Sequence, residues 1–257
     1  MESYRQPIDI RFEIRVNATH AGWARQEYDR IFQVRGSELR HRDSFYRWIL
    51  KQLQPSRGSQ LLDIACGEGV LVRLAAQHYA LHAVGTDISI AGLKIAAEDG
   101  SPRLAASSAE LLPFAENSFD YVTCIGSLEH FHDPLAGVAE MARVLKPGGI
   151  ACILVPNTYS LFNNIYNAFK YGRSTIDSQP LQRYAARLEW ELLLHDGGLD
   201  VVRYFKWDRE WPSSLSDTFW MLRHWREAIK ALAAPFVPLN LAHHIGFLCR
   251  PSKGVLL

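Results

Sequence analysis

The nine residues Leu61–Gly69, Leu-Leu-Asp-Ile-Ala-Cys-Gly-Glu-Gly, constrain the fold more than any other stretch. An apolar run ends in an acid, small residues turn the chain, and Val70–Ala76 then sets apolar side chains at helical spacing. The pattern predicts strand, turn and helix. Gly67 and Gly69 let the backbone approach a ligand closely, and a helix starting near Val70 aims its first N–H groups into the turn. Twenty-four residues after Asp63, the run Ala83-Val84-Gly85-Thr86 ends in Asp87. A carboxylate at the tip of the neighbouring strand can take two hydrogen bonds from a ribose diol. This half of the chain is therefore expected to hold a nucleoside.

A dinucleotide site also pairs a glycine turn with a later acid, but its fingerprint needs a third glycine where the helix packs on the strand. Val72 stands at that place. With 257 residues, 48% hydrophobic and 21% charged, the chain can bury a large core as one α/β domain. The net charge of +1 gives no basic footprint for nucleic acid. Cys66, Cys124, Cys152 and Cys249 are far apart, each in or beside an apolar run, which predicts buried thiols in a reducing cytoplasm and no metal site. No apolar run reaches spanning length, and the N-terminus is unlike a signal peptide.

Ser37–Leu53 sets Leu39, Phe45, Trp48, Ile49 and Leu53 on one helical face before Pro55–Gly58 breaks it. Downstream of Asp87 come a helix near Ala91–Ala97, a short apolar segment at Arg103–Ala106, and the run Ser108-Ala109-Glu110-Leu111-Leu112-Pro113-Phe114. Tyr121–Ile125 reads as a fourth buried strand. It ends in Gly126-Ser127-Leu128-Glu129-His130-Phe131-His132, a loop that must face any site beyond the strand ends. Asp133-Pro134 opens a helix that Lys146-Pro147-Gly148-Gly149 stops, and Ile150–Val155 is a fifth strand. Glu189–Leu194 and Leu199–Phe205 predict a further helix and strand, and Ile245–Cys249 a closing strand.

The glycine turn, Asp87, Leu-Pro-Phe, Phe119-Asp120, Leu-Glu-His and Lys-Pro-Gly-Gly stand in the order of the class I S-adenosylmethionine-dependent methyltransferases, which the chain resembles across residues 61–155. The resemblance implies a Rossmann-like, seven-stranded, mostly parallel sheet with helices on both faces and an antiparallel last strand. It implies one domain: an N-terminal lid or helical segment (1–54), a cofactor-binding core (59–155), and substrate-side insertions with the final strands (156–257). It implies S-adenosyl-L-methionine as cofactor, with Asp63, Ala65, Cys66, Gly67 and Gly69 around the methionine portion. Asp87 and Ile88 would hold the ribose and flank the adenine; Ser108, Ala109 and Glu110 would border the adenine. Ile125, Gly126 and Ser127 would close the pocket, and Arg42, with Tyr46, could reach the amino-acid end. The family usually has aspartate where Ser108 stands and often glycine where Ala65 stands.

The reaction expected is in-line methyl transfer to oxygen of a small, glycan-like or quinone-type acceptor; N- or C-methylation, a non-catalytic cofactor binder and a nicotinamide dehydrogenase are the alternatives. His130, then His132, is the candidate base, and His130 read as a brace for the loop, partnered by Glu129, carries equal weight. Residues 1–35 read either as a surface layer or as a lid. The aromatic and amide-rich run Tyr159–Arg173 reads as acceptor contacts or as an accessory helix. The stretch Phe219–Lys230, apolar and basic together, reads as a peripheral membrane contact or, with so few cations, as a buried cover for the sheet.

Overall fold

Apolar residues alternate along the predicted strands, and the two sets lie in two separate cores. In β2 (Gln60–Ile64), Leu62 and Ile64 enter one core and Leu61 the other. The computed structural model describes residues 13–16, 24–36, 41–173, 175, 179–208 and 215–252. Its first elements are β1 (Glu13–Val16), α1 (Ala24–Arg35) and α2 (Asp43–Leu53), the last shorter at its start than the predicted helix. After β2 come α3 (Val70–Tyr79), β3 (His82–Asp87), α4 (Ile90–Glu98), β4 (Leu104–Ala106), β5 (Phe119–Ile125), α5 (Pro134–Val144) and β6 (Leu145–Pro156). The remainder is α6 (Tyr166–Tyr171), β7 (Leu181–Tyr184), α7 (Arg187–Asp196), β8 (Leu199–Trp207), α8 (Leu215–Arg223), α9 (Trp225–Ala233) and β9 (His244–Pro251).

The main sheet has seven strands in the order β4-β3-β2-β5-β6-β9-β8. The first five are parallel; β9 runs antiparallel to both β6 and β8, between them. On one face α5 and α7 bury Val138, Met141, Trp190 and Leu194 against Ile153 and Phe247. On the other, α2 and α3 bury Phe45, Ile49, Leu71 and Leu74 against Leu61 and Leu154. The strand order reverses between β2 and β5, which opens a crevice at their carboxyl ends.

Gly85 solves the packing problem that Val72 raises. A Cβ on Gly85 would stand 2.8 Å from Val72 Cγ2 and 2.7 Å from Cys66 Sγ. The glycine that permits close contact lies on the neighbouring strand, so the helix can carry a valine. The helix α5 ends at Val144, just before Lys146–Gly149 as expected, and that segment bulges within β6: the register jumps from Phe119↔Leu145 to Tyr121↔Ile150.

One pairing was not predicted. β1 and β7 pair antiparallel as a separate two-stranded sheet joining segments far apart in sequence. The stretch Phe219–Lys230 is not a buried cover: the helix breaks at His224, and Phe219, Leu222, Trp225 and Ile229 are exposed. The cysteine expectation holds for Cys124, Cys152 and Cys249; Cys66 is half-buried, and all four are free thiols.

Candidate active site

The turn after β2 is built from left-handed backbone. Ala65, Gly67 and Gly69 have φ of 55°, 54° and 68°. Gly69 N donates to Cys66 O at 2.9 Å, closing the turn on which α3 begins. Ala65 is an L-residue in the left-handed region, at a modest steric cost. Asp87 ends β3, and both its oxygens are fixed by backbone: Oδ2 accepts from Gly67 N at 2.8 Å and Oδ1 from Ser89 N at 2.7 Å. A carboxylate offers about four acceptor positions, so two remain for other donors. Burial pushes the Asp87 carboxyl up to about 6, against the two N–H groups that favour the anion.

A cavity opens at these strand ends. Its lining contains Ala65, Cys66, Gly67, Asp87, Ile88, Ser108, Ala109, Glu110, Ile125, Gly126, Ser127, His130 and His132, all singled out in the sequence. Three candidates lie elsewhere. Asp63 is buried behind the wall, where Thr123 Oγ1 donates to its Oδ1 at 2.6 Å. Burial raises its carboxyl to about 7, the Thr123 bond opposes the rise, and the Asp87 charge adds to it. Gly69 shapes the turn from outside the lining. Arg42 is the exposed residue before α2 and does not line the cavity; Tyr46, one turn further along, does. The Cys66 thiol is pushed well above its usual range by burial and by the Asp87 and Asp63 carboxylates, so it stays protonated.

The cover comes from segments that sequence patterns did not connect. Tyr28 and Phe32 of α1 line the cavity, and the Phe32 ring lies where a Cβ on Gly67 would meet it at 3.3 Å. Asp29, between them, accepts from Ser89 Oγ at 2.7 Å and Ala91 N at 2.9 Å, tying α1 to the start of α4. Phe32 stands one helical turn after Tyr28 and Asp29, a spacing that could have marked the helix.

The loop after β5 is held by β7. His130 Nδ1 lies 2.5 Å from Leu181 O, and Glu129 Oε1 is 3.8 Å from His130 Nε2. Arg183, buried, donates Nη2 to His132 O at 3.0 Å and Nη1 to Phe131 O, with Glu129 O at 3.4 Å. Burial lowers the Arg183 guanidinium, while the Glu110 and Asp133 carboxylates favour its charge. Ser108 Oγ accepts from Glu110 N at 3.3 Å, and Glu110 Oε1 accepts from Asp133 N at 3.0 Å, so this wall braces the same loop. The charged lining residues are Glu68, Asp87 and Glu110; no Lys or Arg lines the cavity among the described residues.

A protein family described as a methyltransferase domain matches residues 62–153. Residues 62–153 thus carry a domain of the class I S-adenosylmethionine-dependent methyltransferase type. It is 36% identical over 121 residues to demethylmenaquinone methyltransferase of Corynebacterium kroppenstedtii, covering 46% of this chain and 52% of that protein. It is 38% identical over 109 residues to the ubiquinone biosynthesis O-methyltransferase of Paracidovorax citrulli, covering 40% and 45%. The chain thus spans about half the length of these curated relatives. The structure of the [4+2]-cyclase SpnF superposes with a TM-score of 0.67 at 17% identity, covering 93% of this chain and 99% of that one, a likeness of fold alone. Within the methyltransferase fold, the family's cofactor meets a fitting site: an acid with two unused acceptor positions, a glycine turn that a side chain would crowd, and an anionic lining for a sulfonium cation.

Proposed function

We propose that the chain transfers a methyl group from S-adenosylmethionine to a small, uncharged acceptor bearing a phenolic or quinol hydroxyl. The carrying observation is the Asp87 carboxylate, held by the Gly67 and Ser89 N–H groups at the edge of a cavity that no Lys or Arg lines among the described residues. Such a lining suits a cationic cofactor and disfavours phosphate or carboxylate acceptors. The relatives' names, which include quinone methyltransferases, support the same acceptor class.

When bound, the cofactor supplies an electrophilic methyl on sulfur. Asp87 would hold the ribose diol, Ile88 with Ser108, Ala109 and Glu110 would flank the adenine, and the backbone of Ala65–Gly67 would border the methionine portion. Burial under Tyr28 and Phe32 would exclude water while the nucleophile lines up. His130 would take the acceptor's hydroxyl proton. With Nδ1 donating to Leu181 O, Nε2 is the basic nitrogen of the neutral ring. Glu129, 3.8 Å from Nε2, would stabilise the imidazolium formed. A phenolate is nucleophilic at oxygen and at its ortho and para ring carbons, and the pose of the ring selects between them. Methylation at carbon also requires the proton on that carbon to leave, to His130 or to water, before the ring is aromatic again.

The test is calorimetric titration with S-adenosylhomocysteine, followed by a panel of phenols and quinols with product masses and NMR assignment of the new methyl. Micromolar binding and a methylated product support the reading. Tight binding without turnover on the whole panel points to a non-catalytic binder, and no binding by folded protein overturns the site assignment.

A further inference from the structure

The pair of helices between β8 and β9, α8 and α9 joined at His224, is built inside out. An ordinary surface helix turns its large apolar side chains inward. Here Ala231 is 1% exposed and Ala234 is also buried, whereas Trp225, Ile229, Leu232 and Phe236 are 61%, 53%, 62% and 86% exposed. Their spacing of four, three and four residues runs one apolar stripe along α9 and the turn beyond it. Leu215, Phe219 and Leu222 repeat the pattern on α8. The end of α9 is anchored: Lys206 Nζ donates to Ala234 O at 2.7 Å, to Pro235 O at 3.2 Å and to Val237 O.

Its position and charge indicate what it meets. Trp207, at the end of β8, is registered with His244 at the start of β9, and Pro156 of β6 with the same His244. The segment carrying α8 and α9 therefore leaves the sheet at the carboxyl ends of the parallel strands, the end where the cavity opens. The segment after β6 emerges at this end too, exposing Tyr166, Phe169 and Tyr171, with Lys170 Nζ 5.5 and 4.9 Å from the two tyrosine rings. Across residues 166–173 and 215–236 there are five Lys and Arg against two Asp and Glu, in a chain whose net charge is only +1. Aromatic and aliphatic side chains bordered by cations match the interface of an anionic bilayer. Two copies meeting through this face would oppose like charges. Among the described residues no helix is long and apolar enough to cross a membrane, so the contact is peripheral.

We infer that α8 and α9, with the α6 aromatics at the same end of the sheet, dock this end of the protein onto an anionic lipid surface. The inference does not depend on the identity of the acceptor. The experiment is flotation of the full chain with phosphatidylcholine vesicles, with and without about one third phosphatidylglycerol, at low and high salt. The wild type should float with the anionic vesicles, less so at high salt. Ile229→Glu combined with Leu232→Glu should lower the partition coefficient at least about tenfold. Arg223→Glu combined with Lys230→Glu should abolish the preference for anionic lipid. Unchanged S-adenosylhomocysteine binding and melting temperature would show that both variants remain folded. Wild-type protein that stays with the buffer, or variants that float as well as wild type, would overturn the inference. So would a concentration-dependent dimer that the same glutamates dissolve in the absence of lipid binding.

Discussion

Asp87 and Gly67 stand twenty residues apart and share a 2.8 Å hydrogen bond, whereas His130 is fixed by Leu181, fifty-one residues away. The first pair belongs to the cavity floor, made by strand tips and the turns that follow them. The second belongs to the cover, assembled from α1, the loop after β5 and β7. Floor contacts are mostly backbone N–H groups aimed by regular structure. Cover contacts are side chains reaching across the molecule: Phe32 onto Gly67, Asp29 onto α4, Arg183 onto three loop carbonyls. The floor is thus suited to hold one cofactor in one way. The cover is where acceptor choice and proton transfer can vary without disturbing it.

If that division is sound, a cover substitution should change turnover and spare cofactor affinity. The largest effect is expected from His130→Gln, which keeps a hydrogen-bonding side chain but removes the base. We expect kcat on an accepted phenol or quinol to fall about 10²- to 10⁴-fold, with the S-adenosylhomocysteine Kd within about twofold. An equal loss in both would break the comparison.

Asp87→Ala tests the floor. Loss of charge-assisted hydrogen bonds should weaken S-adenosylhomocysteine binding by about 1.5–3 kcal/mol in calorimetry, roughly ten- to a hundredfold in Kd. In the wild type, affinity should fall as the pH drops through about 6, because the raised Asp87 carboxyl then takes a proton and loses acceptor capacity. The variant should lack that pH dependence.

Arg183→Met sharpens the boundary from the cover side. The loop carrying His130 and His132 would lose its buried donor, and kcat should drop about tenfold while the cofactor Kd stays within about threefold. A shifted pH–rate profile would identify positioning of the base, since general destabilisation alone would leave the profile in place.

Asp63→Asn concerns the wall behind the floor. Because the carboxyl is raised to about 7 in the folded chain, the folded state binds more protons than the unfolded one between about pH 4 and 7. The stability this contributes is complete below the unfolded value and is lost as the pH rises through 7. The asparagine can still accept from Thr123, so the variant should gain on the order of a few kcal/mol relative to wild type at pH 8 and little at pH 4, by denaturant titration. The smallest effect is expected from Ala65→Gly. Relief of the left-handed conformation, partly offset by the added entropy of the unfolded chain, should stabilise by about 0.5–1 kcal/mol.

The sequence was most legible where function depends on backbone shape. Glycines at 67 and 69, acids at strand ends and a proline after Asp133 are local signals, and the turn, the Asp87 tip and the N-terminus of α5 lie where they predict. Asp63 shows the limit of that reasoning. Period two told which core its neighbours enter, but whether its carboxylate reaches the cavity or turns to Thr123 depends on β5, sixty residues on. Arg42 and Tyr46 share one turn of the chain, and which of them meets the cavity depends on where α2 rests against the sheet. The contact of α1 with Gly67 and α4 and the brace from β7 escaped for the same reason, since neither segment carries a turn or repeat that names its distant partner.

By itself, then, the order of apolar runs, turns and acids determined the succession of strands, turns and helices from β2 to β6, because those follow from side-chain period and turn chemistry. The sheet architecture and most of the cofactor residues were implied by the family resemblance. Only the tertiary structure decided that Val72 is accommodated by Gly85 across the strands, that Arg183 and Leu181 hold the histidine loop, and that α9 turns Ile229 and Leu232 outward. Each of those outcomes depends on which surfaces are already occupied when the segments meet, information that no single stretch of the chain contains.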